Sequence, residues 1–181
     1  MFRNILVAVD GSVTSNRGLR AALALAKDQK ATLHVVHVID QAPIAMGLGG
    51  AYYVPPEYVE SLVSALRQAG VGLLRKVEAA AAKQGQKVET AIIDDLGPSV
   101  AHAILRYARK VRADVIVMGT HGRRGLSRFV MGSDAEAVLR ESRVPVLLVH
   151  EERRKTAVGE KRPRTPRRTR AGDVVRPSAS A

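Results

Sequence analysis

The chain has no cysteine and no tryptophan, and only 3% of its residues are aromatic. Without cysteine there is no disulfide, no thiolate nucleophile and no Cys-ligated metal, and the composition fits a reducing compartment. Long apolar runs are missing as well. No stretch approaches the roughly 18 consecutive apolar residues of a membrane span. Phe2 to Val9 is too short, and too soon interrupted by Asp10, for a signal peptide. The expectation is a soluble, cytoplasmic protein with no membrane partner.

Negative charge is scarce, and the imbalance is uneven along the chain. The formal net charge is +12. Residues 151–181 hold 10 Lys or Arg against 4 Asp or Glu, a net of +6, and residues 1–150 hold 19 against 13, the other +6. The last 31 residues also lack aromatics and any apolar periodicity, which reads as a disordered basic tail. Such a tail can contact polyanions non-specifically through counterion release. No aromatic accompanies its arginines to stack on bases, so a solvated extension is the plainer alternative. Residues 1–150 are enough for one globular domain and its core, and not for two.

Within that body, strand and helix signals alternate. Asn4 to Val9 is a buried strand that stops at Asp10-Gly11-Ser12, after which Leu19, Ala22, Leu23 and Ala26 share a helical face. Thr32 to Ile39 is a second strand. A loop rich in Pro, Gly and Tyr then leads to a long helix from about Glu57 to Gln84, in which Gly70 and Gly72 are expected to bend or loosen the path. Val88 to Ile93 makes a third strand, and Gly97-Pro98-Ser99 opens a helix with Val100, Ala103, Ile104 and Tyr107 on one face. Val115 to Met118 and Pro145 to Val149 are the fourth and fifth strands. Strands that are apolar throughout, alternating with helices, mean an α/β fold: a Rossmann-like, doubly wound parallel sheet with helices on both faces. Ligands of such sheets sit beyond the carboxyl ends of the strands, where Asp10, Ile39, Asp40, Met118 and Gly119 lie.

The most informative spacing follows the fourth strand. Gly119, Gly122, Gly132 and Ser133 form G-x2-G-x9-G-S, a pattern expected by chance about once in a hundred chains of this length. Glycines expose backbone N–H groups to an anion with no side chain in the way, and Gly132 permits a second close approach. Ser133 stands at a helix start, where the dipole and unpaired amides favour phosphate. Ser133-Asp-Ala-Glu136 also reads as a capping box, so an N-cap role for Ser133 stands beside the phosphate role. Arg123, Arg124 and Arg128 could close over phosphates or simply face solvent. His121 reads as polar surface. His34 and His37 are three apart on a strand and point to opposite faces, so they cannot share a metal.

Four motifs in order make this chain resemble the universal stress protein family, in its ATP-binding branch. They are Ile5-Leu-Val-Ala-Val-Asp-Gly-Ser12, Leu33-His-Val-Val-His-Val-Ile-Asp40, Val115 to Gly125, and Gly132 to Leu139 with Val144-Pro-Val-Leu-Leu-Val149. The resemblance covers residues 2 to 150. It implies a five-stranded sheet of order 3-2-1-4-5, which sets Asp10 beside Gly119, and it implies a homodimer through the last strand. Carried over position by position, it places Ala8, Val9 and Asp10 on the adenosine side with Val38 against adenine. Met118, Gly119, Gly122, Gly132 and Ser133 would hold ribose and phosphates, with Arg123 the loop arginine counted with them as a nucleotide contact, and Asp10 would help hold Mg2+ through water. Asp10 also suits a turn before Gly11 irrespective of any ligand. The carboxylate of Asp134 either repels the phosphates or joins the water shell of a metal.

No catalytic residue is assigned. The lysine of G-x4-G-K-[ST] is missing, as are the Rossmann G-x-G-x-x-G, the Ser-Gly-Gly-x-Asp-Ser loop of ATP pyrophosphatases and the His-Ile-Gly-His of nucleotidylyltransferases. Binding without efficient turnover is the natural reading, and the resemblance allows slow ATP hydrolysis or self-phosphorylation at most. Two functions follow: a nucleotide-responsive regulatory protein of stress tolerance, or a nucleotide-independent stress scaffold whose glycine loop is vestigial.

Overall fold

The computed structural model describes residues 1–41, 44, 55–94, 98–122 and 131–150. Five strands, β1 (Asn4–Ala8), β2 (Thr32–Val38), β3 (Val88–Ile93), β4 (Val115–Gly119) and β5 (Val146–Val149), alternate with four long helices. These are α1 (Val13–Gln29), α2 (Pro56–Ala82), α3 (Val100–Lys110) and α4 (Ser133–Glu141). Every pairing is parallel and the order is β3-β2-β1-β4-β5, as the resemblance implied. Each strand ends within a residue of where the apolar runs placed it. The basic tail and the arginines at 123, 124 and 128 lie outside the described residues.

Helices cover both faces of the sheet. On one face α1 and α2 bury Leu19, Leu23, Leu74 and Val77 against Ile5, Val7, Leu33, Val35 and Val117. On the other, α3 and α4 bring Ile104, Leu105, Ala135 and Val138 against Leu6, Val36, Ile116 and Met118. Both sides of β1 and β4 are therefore dry, which is why these strands carry no polar alternation. Leu139 on α4 stays outside this packing, at 47% exposure.

Local chemistry sets the helix starts. The Ser12 hydroxyl accepts the Ser15 N–H at 3.2 Å to cap α1, and Ser99 accepts from His102 at 3.1 Å to cap α3. Pro56 stands at the start of α2, where its fixed φ fits and its missing N–H costs nothing. The helix runs unbroken through Gly70 and Gly72. A Cβ on Gly70 would lie 2.6 Å from Cδ2 of His37, so the missing side chain makes room for a buried imidazole. That imidazole bonds through Nδ1 to the Val9 carbonyl at 2.7 Å. His34 and His37 stand on opposite faces as expected, and no cluster of three metal-ligating side chains occurs among the described residues.

The amino-terminal end of the sheet is closed by its own polar groups. The Asp114 carboxylate accepts the N–H groups of Arg3 at 2.6 Å and Asn4 at 2.8 Å, tying the start of β1 to the start of β4. The Asn4 and Arg3 backbone bonds hold the Asp114 carboxyl below the usual carboxylate range. Beside it, His34 approaches Asn4 Oδ1 at 3.4 Å through Nε2 and Glu89 at 3.2 Å through Nδ1.

A candidate nucleotide site at the carboxyl ends of the strands

Beyond the carboxyl ends of β1, β2 and β4 opens a cavity of about 920 Å³. It lies where strand order reverses, between β1 and β4, so the helices after these two strands diverge and leave the space unfilled. Nine of the ten residues singled out from sequence stand on its wall: Ala8, Val9, Asp10, Val38, Met118, Gly119, Gly122, Gly132 and Ser133. Arg123, the tenth, is outside the described residues. Ile39 and Asp40, placed at the strand ends from sequence, line the cavity too. Sequence reasoning passed over Ser15, His37, Leu66 and Thr120, which also line it. Ser15 was legible in the hydroxyl-rich run after Asp10. The other three depend on which face of a strand or helix meets the opening.

The segments that meet here are 110 residues apart in the chain and locked by short bonds. Asp10 Oδ1 accepts the Ser12 N–H at 2.9 Å, which makes the turn that Asp-Gly-Ser suggested. The Asp10 N–H donates to Ser15 Oγ at 3.2 Å. Asp10 Oδ2 lies where it would be 2.9 Å from a Cβ on Gly122, so the first turn and the glycine loop touch. Asp10 thus shapes the turn and also lines the cavity.

The glycines divide by what surrounds them. A Cβ on Gly119 would fall 2.8 Å from the backbone carbon of Thr14 and 2.9 Å from the Ser15 nitrogen. Glycine is required there because the first turn of α1 crosses the end of β4, whatever binds in the cavity. Gly122 and Gly132 are less confined. A Cβ on Gly132 would meet the Thr120 carbonyl oxygen at 3.4 Å. Gly132 is also the N-cap of α4, and no side chain caps that helix. Ser133 is therefore the first helical residue rather than the cap that the S-x-x-E pattern allowed, and its hydroxyl and amide border the cavity with Asp134 and Ala135.

His121 is more enclosed than a surface histidine. Its Nδ1 pairs with Thr120 Oγ1 at 3.0 Å, and its Nε2 is buried without a hydrogen-bond partner among the described residues. The cavity is thus two-sided in character. Val38, Ile39, Leu66 and Met118 give an apolar part suited to a flat base. Asp10, Gly122, Gly132 and Ser133 give a polar part with a helix N-terminus suited to an anion.

Known proteins are similar to this chain in sequence and fold. A model of the universal stress protein family matches residues 1–150. Universal stress protein YxiE of Bacillus subtilis is 35% identical over 150 residues, covering 82% of this chain and 99% of its own. The solved structure of hypothetical protein MJ0577 is similar with a TM-score of 0.72 at 25% identity, covering 84% of this chain and 99% of that one. A crystal structure of a universal stress protein family member from Burkholderia pseudomallei is similar with a TM-score of 0.62 at 32% identity, covering 82% and 96%. Fold, motif order and these likenesses agree, and the chain belongs to the universal stress protein family.

Proposed function

We propose that the cavity binds ATP, or another adenine nucleotide, with Mg2+, and that the protein is a nucleotide-responsive regulator of stress tolerance in the cytoplasm. One observation carries this reading: the Ala8–Asp10 turn and the Gly119-to-Ser133 glycine pattern line one cavity, whose apolar and anion-ready parts lie side by side. Its size suits a nucleotide. The base would sit against Val38 and the phosphates against Gly122, Gly132 and the amides at the start of α4. Gly119 would contribute backbone only. Asp10 already holds the Ser12 amide, so it would reach Mg2+ through water rather than directly. When bound, Mg2+ would neutralise phosphate charge beside the Asp10 and Asp134 carboxylates. The site holds and senses a nucleotide without efficient turnover, and occupancy shifts the population of a form that partners recognise.

Thermal unfolding tests the reading. Protein stripped of nucleotide is melted with and without ATP and Mg2+, beside a Gly122→Val/Gly132→Val variant whose own melting shows that it folds. Ligand at a hundred times its dissociation constant adds about 2.7 kcal/mol. For a body of this size the midpoint should rise by roughly 5 to 10 °C in the natural protein and not in the variant. No rise in either would hand the lead to the nucleotide-independent scaffold.

The same proposal includes a homodimer. β5 is an edge strand and presents Leu147 at 42% exposure, an apolar residue on an open ladder. Light scattering should give the mass of two chains, and Leu147→Lys should halve it. A natural protein of single-chain mass would end this part.

A further inference from the structure

We propose that Thr14 is a positioning residue for the phosphate end of the cavity: its hydroxyl holds the His121 carbonyl against α1 and so turns the Gly122 N–H toward the ligand. The inference rests on the nucleotide reading above and names a device within that site.

Thr14 is the second residue of α1 and only 6% exposed, a hydroxyl buried where the helix crosses the end of β4. It donates to the His121 carbonyl oxygen, with the Ser12 hydroxyl a longer second donor at 3.5 Å. The same helical turn points Ser15 the other way, to the Asp10 N–H. One turn of α1 therefore grips both segments that build the site. It can come this close only because Gly119 has no side chain: a Cβ there would lie 2.8 Å from Thr14 Oγ1.

The consequence follows from the planarity of the peptide. In a trans unit the C=O of one residue and the N–H of the next point in opposite directions. With the His121 oxygen drawn toward α1, the Gly122 N–H must face away from it, toward the cavity that Gly122 lines. The Gly122 nitrogen lies 3.8 Å from where a Gly132 Cβ would be, beside the N-cap of α4. The Gly122 nitrogen is thus close to the start of α4, near enough for its N–H and the first amides of that helix to serve one anion. Fixing the Gly122 N–H in advance removes part of the ordering cost of binding an anion there. Without Thr14, the 120–122 segment keeps only the weaker Ser12 bond on this carbonyl.

Two readouts test this with Thr14→Ala and the hydroxyl-keeping Thr14→Ser. The first is the Gly122 amide resonance of the unliganded protein, which should move in Thr14→Ala and return to its natural place in Thr14→Ser. The second is affinity for ATP and for adenosine, measured well below the unfolding midpoint. Thr14→Ala should weaken ATP about tenfold and leave adenosine unchanged, because only ATP uses the phosphate amides. An unmoved Gly122 amide overturns the tether. A moved amide with ATP and adenosine weakened alike, or neither weakened, overturns the phosphate role. If the natural protein takes up neither ligand, the nucleotide reading and the phosphate role fall together, and the amide resonance still decides the tether.

Discussion

The two ends of this sheet are made from the same strands and finish differently. At the amino-terminal end, Asp114, just before β4, takes the N–H of Asn4, the first of β1, and that of Arg3 before it. At the carboxyl end, the same two strands part. α1 and α4 lead away on opposite faces, and the space left is a cavity bordered by a helix start that no side chain caps. Parallel topology explains the asymmetry. All strand carboxyl ends lie on one side, where each chain must leave for a helix, and at the reversal of order neighbouring chains leave in opposite directions. One end is closed by side chains, and the other is an open cavity whose bordering helix has no side-chain cap among the described residues.

The largest effect should come from breaking the place where the two helix-bearing segments cross. Gly119→Ala would drive a methyl group into the backbone of Thr14 and Ser15, atoms that cannot rotate away. Urea unfolding should show a loss of about 3 kcal/mol, the upper range for overpacking. Gly122→Ala meets only the Asp10 carboxylate, the end of a side chain, so its cost should be under about 1 kcal/mol. The smaller structural change should nonetheless weaken ATP. Equal losses of stability from the two substitutions would dissolve the distinction between a packing glycine and a site glycine.

That distinction was not legible in the sequence, although much else was. The apolar runs Ile5-Leu-Val7 and Val115-Ile-Val117 announce buried parallel strands, because nothing else makes a strand apolar on both sides. The strand order came from the resemblance, since local pattern is silent on which strands are neighbours. The spacing Gly119, Gly122, Gly132 drew attention to the right loop but gave its glycines a common reason. Gly119 is set by a helix arriving from a hundred residues earlier. Gly70 is set in the same way: local pattern weighs a helical glycine only by its propensity, whereas His37, on another element, occupies the room it leaves. Ser133 reads as a cap because S-x-x-E is a local rule, yet the helix begins one residue too early for that rule, at Ser133 with Gly132 as its N-cap. Thr14 gave no signal, since a hydroxyl near a helix start is ordinary until its acceptor is known.

The smallest effect concerns the closed end and carries a pH signature. Asn4 and Arg3 hydrogen bonds depress the folded-state pKa of Asp114. A carboxyl of this kind contributes stability that is present above its ordinary unfolded pKa, about 3.9, and lost as pH falls through the lower folded value. Asp114→Asn offers one oxygen in place of two and no charge, so it should be slightly less stable than the natural protein at neutral pH. The gap should narrow as acid protonates the natural carboxyl too. Urea midpoints of both proteins, followed from about pH 7 down to about pH 3, check this, and a gap constant across that range would mean that the charge on Asp114 does not hold the two strands together. ATP affinity measured alongside should not differ between the two proteins, because the cavity is at the other end of β1 and β4. A substitution at the closed end that nonetheless altered nucleotide binding would show that the two ends of the sheet are coupled through these strands rather than independent.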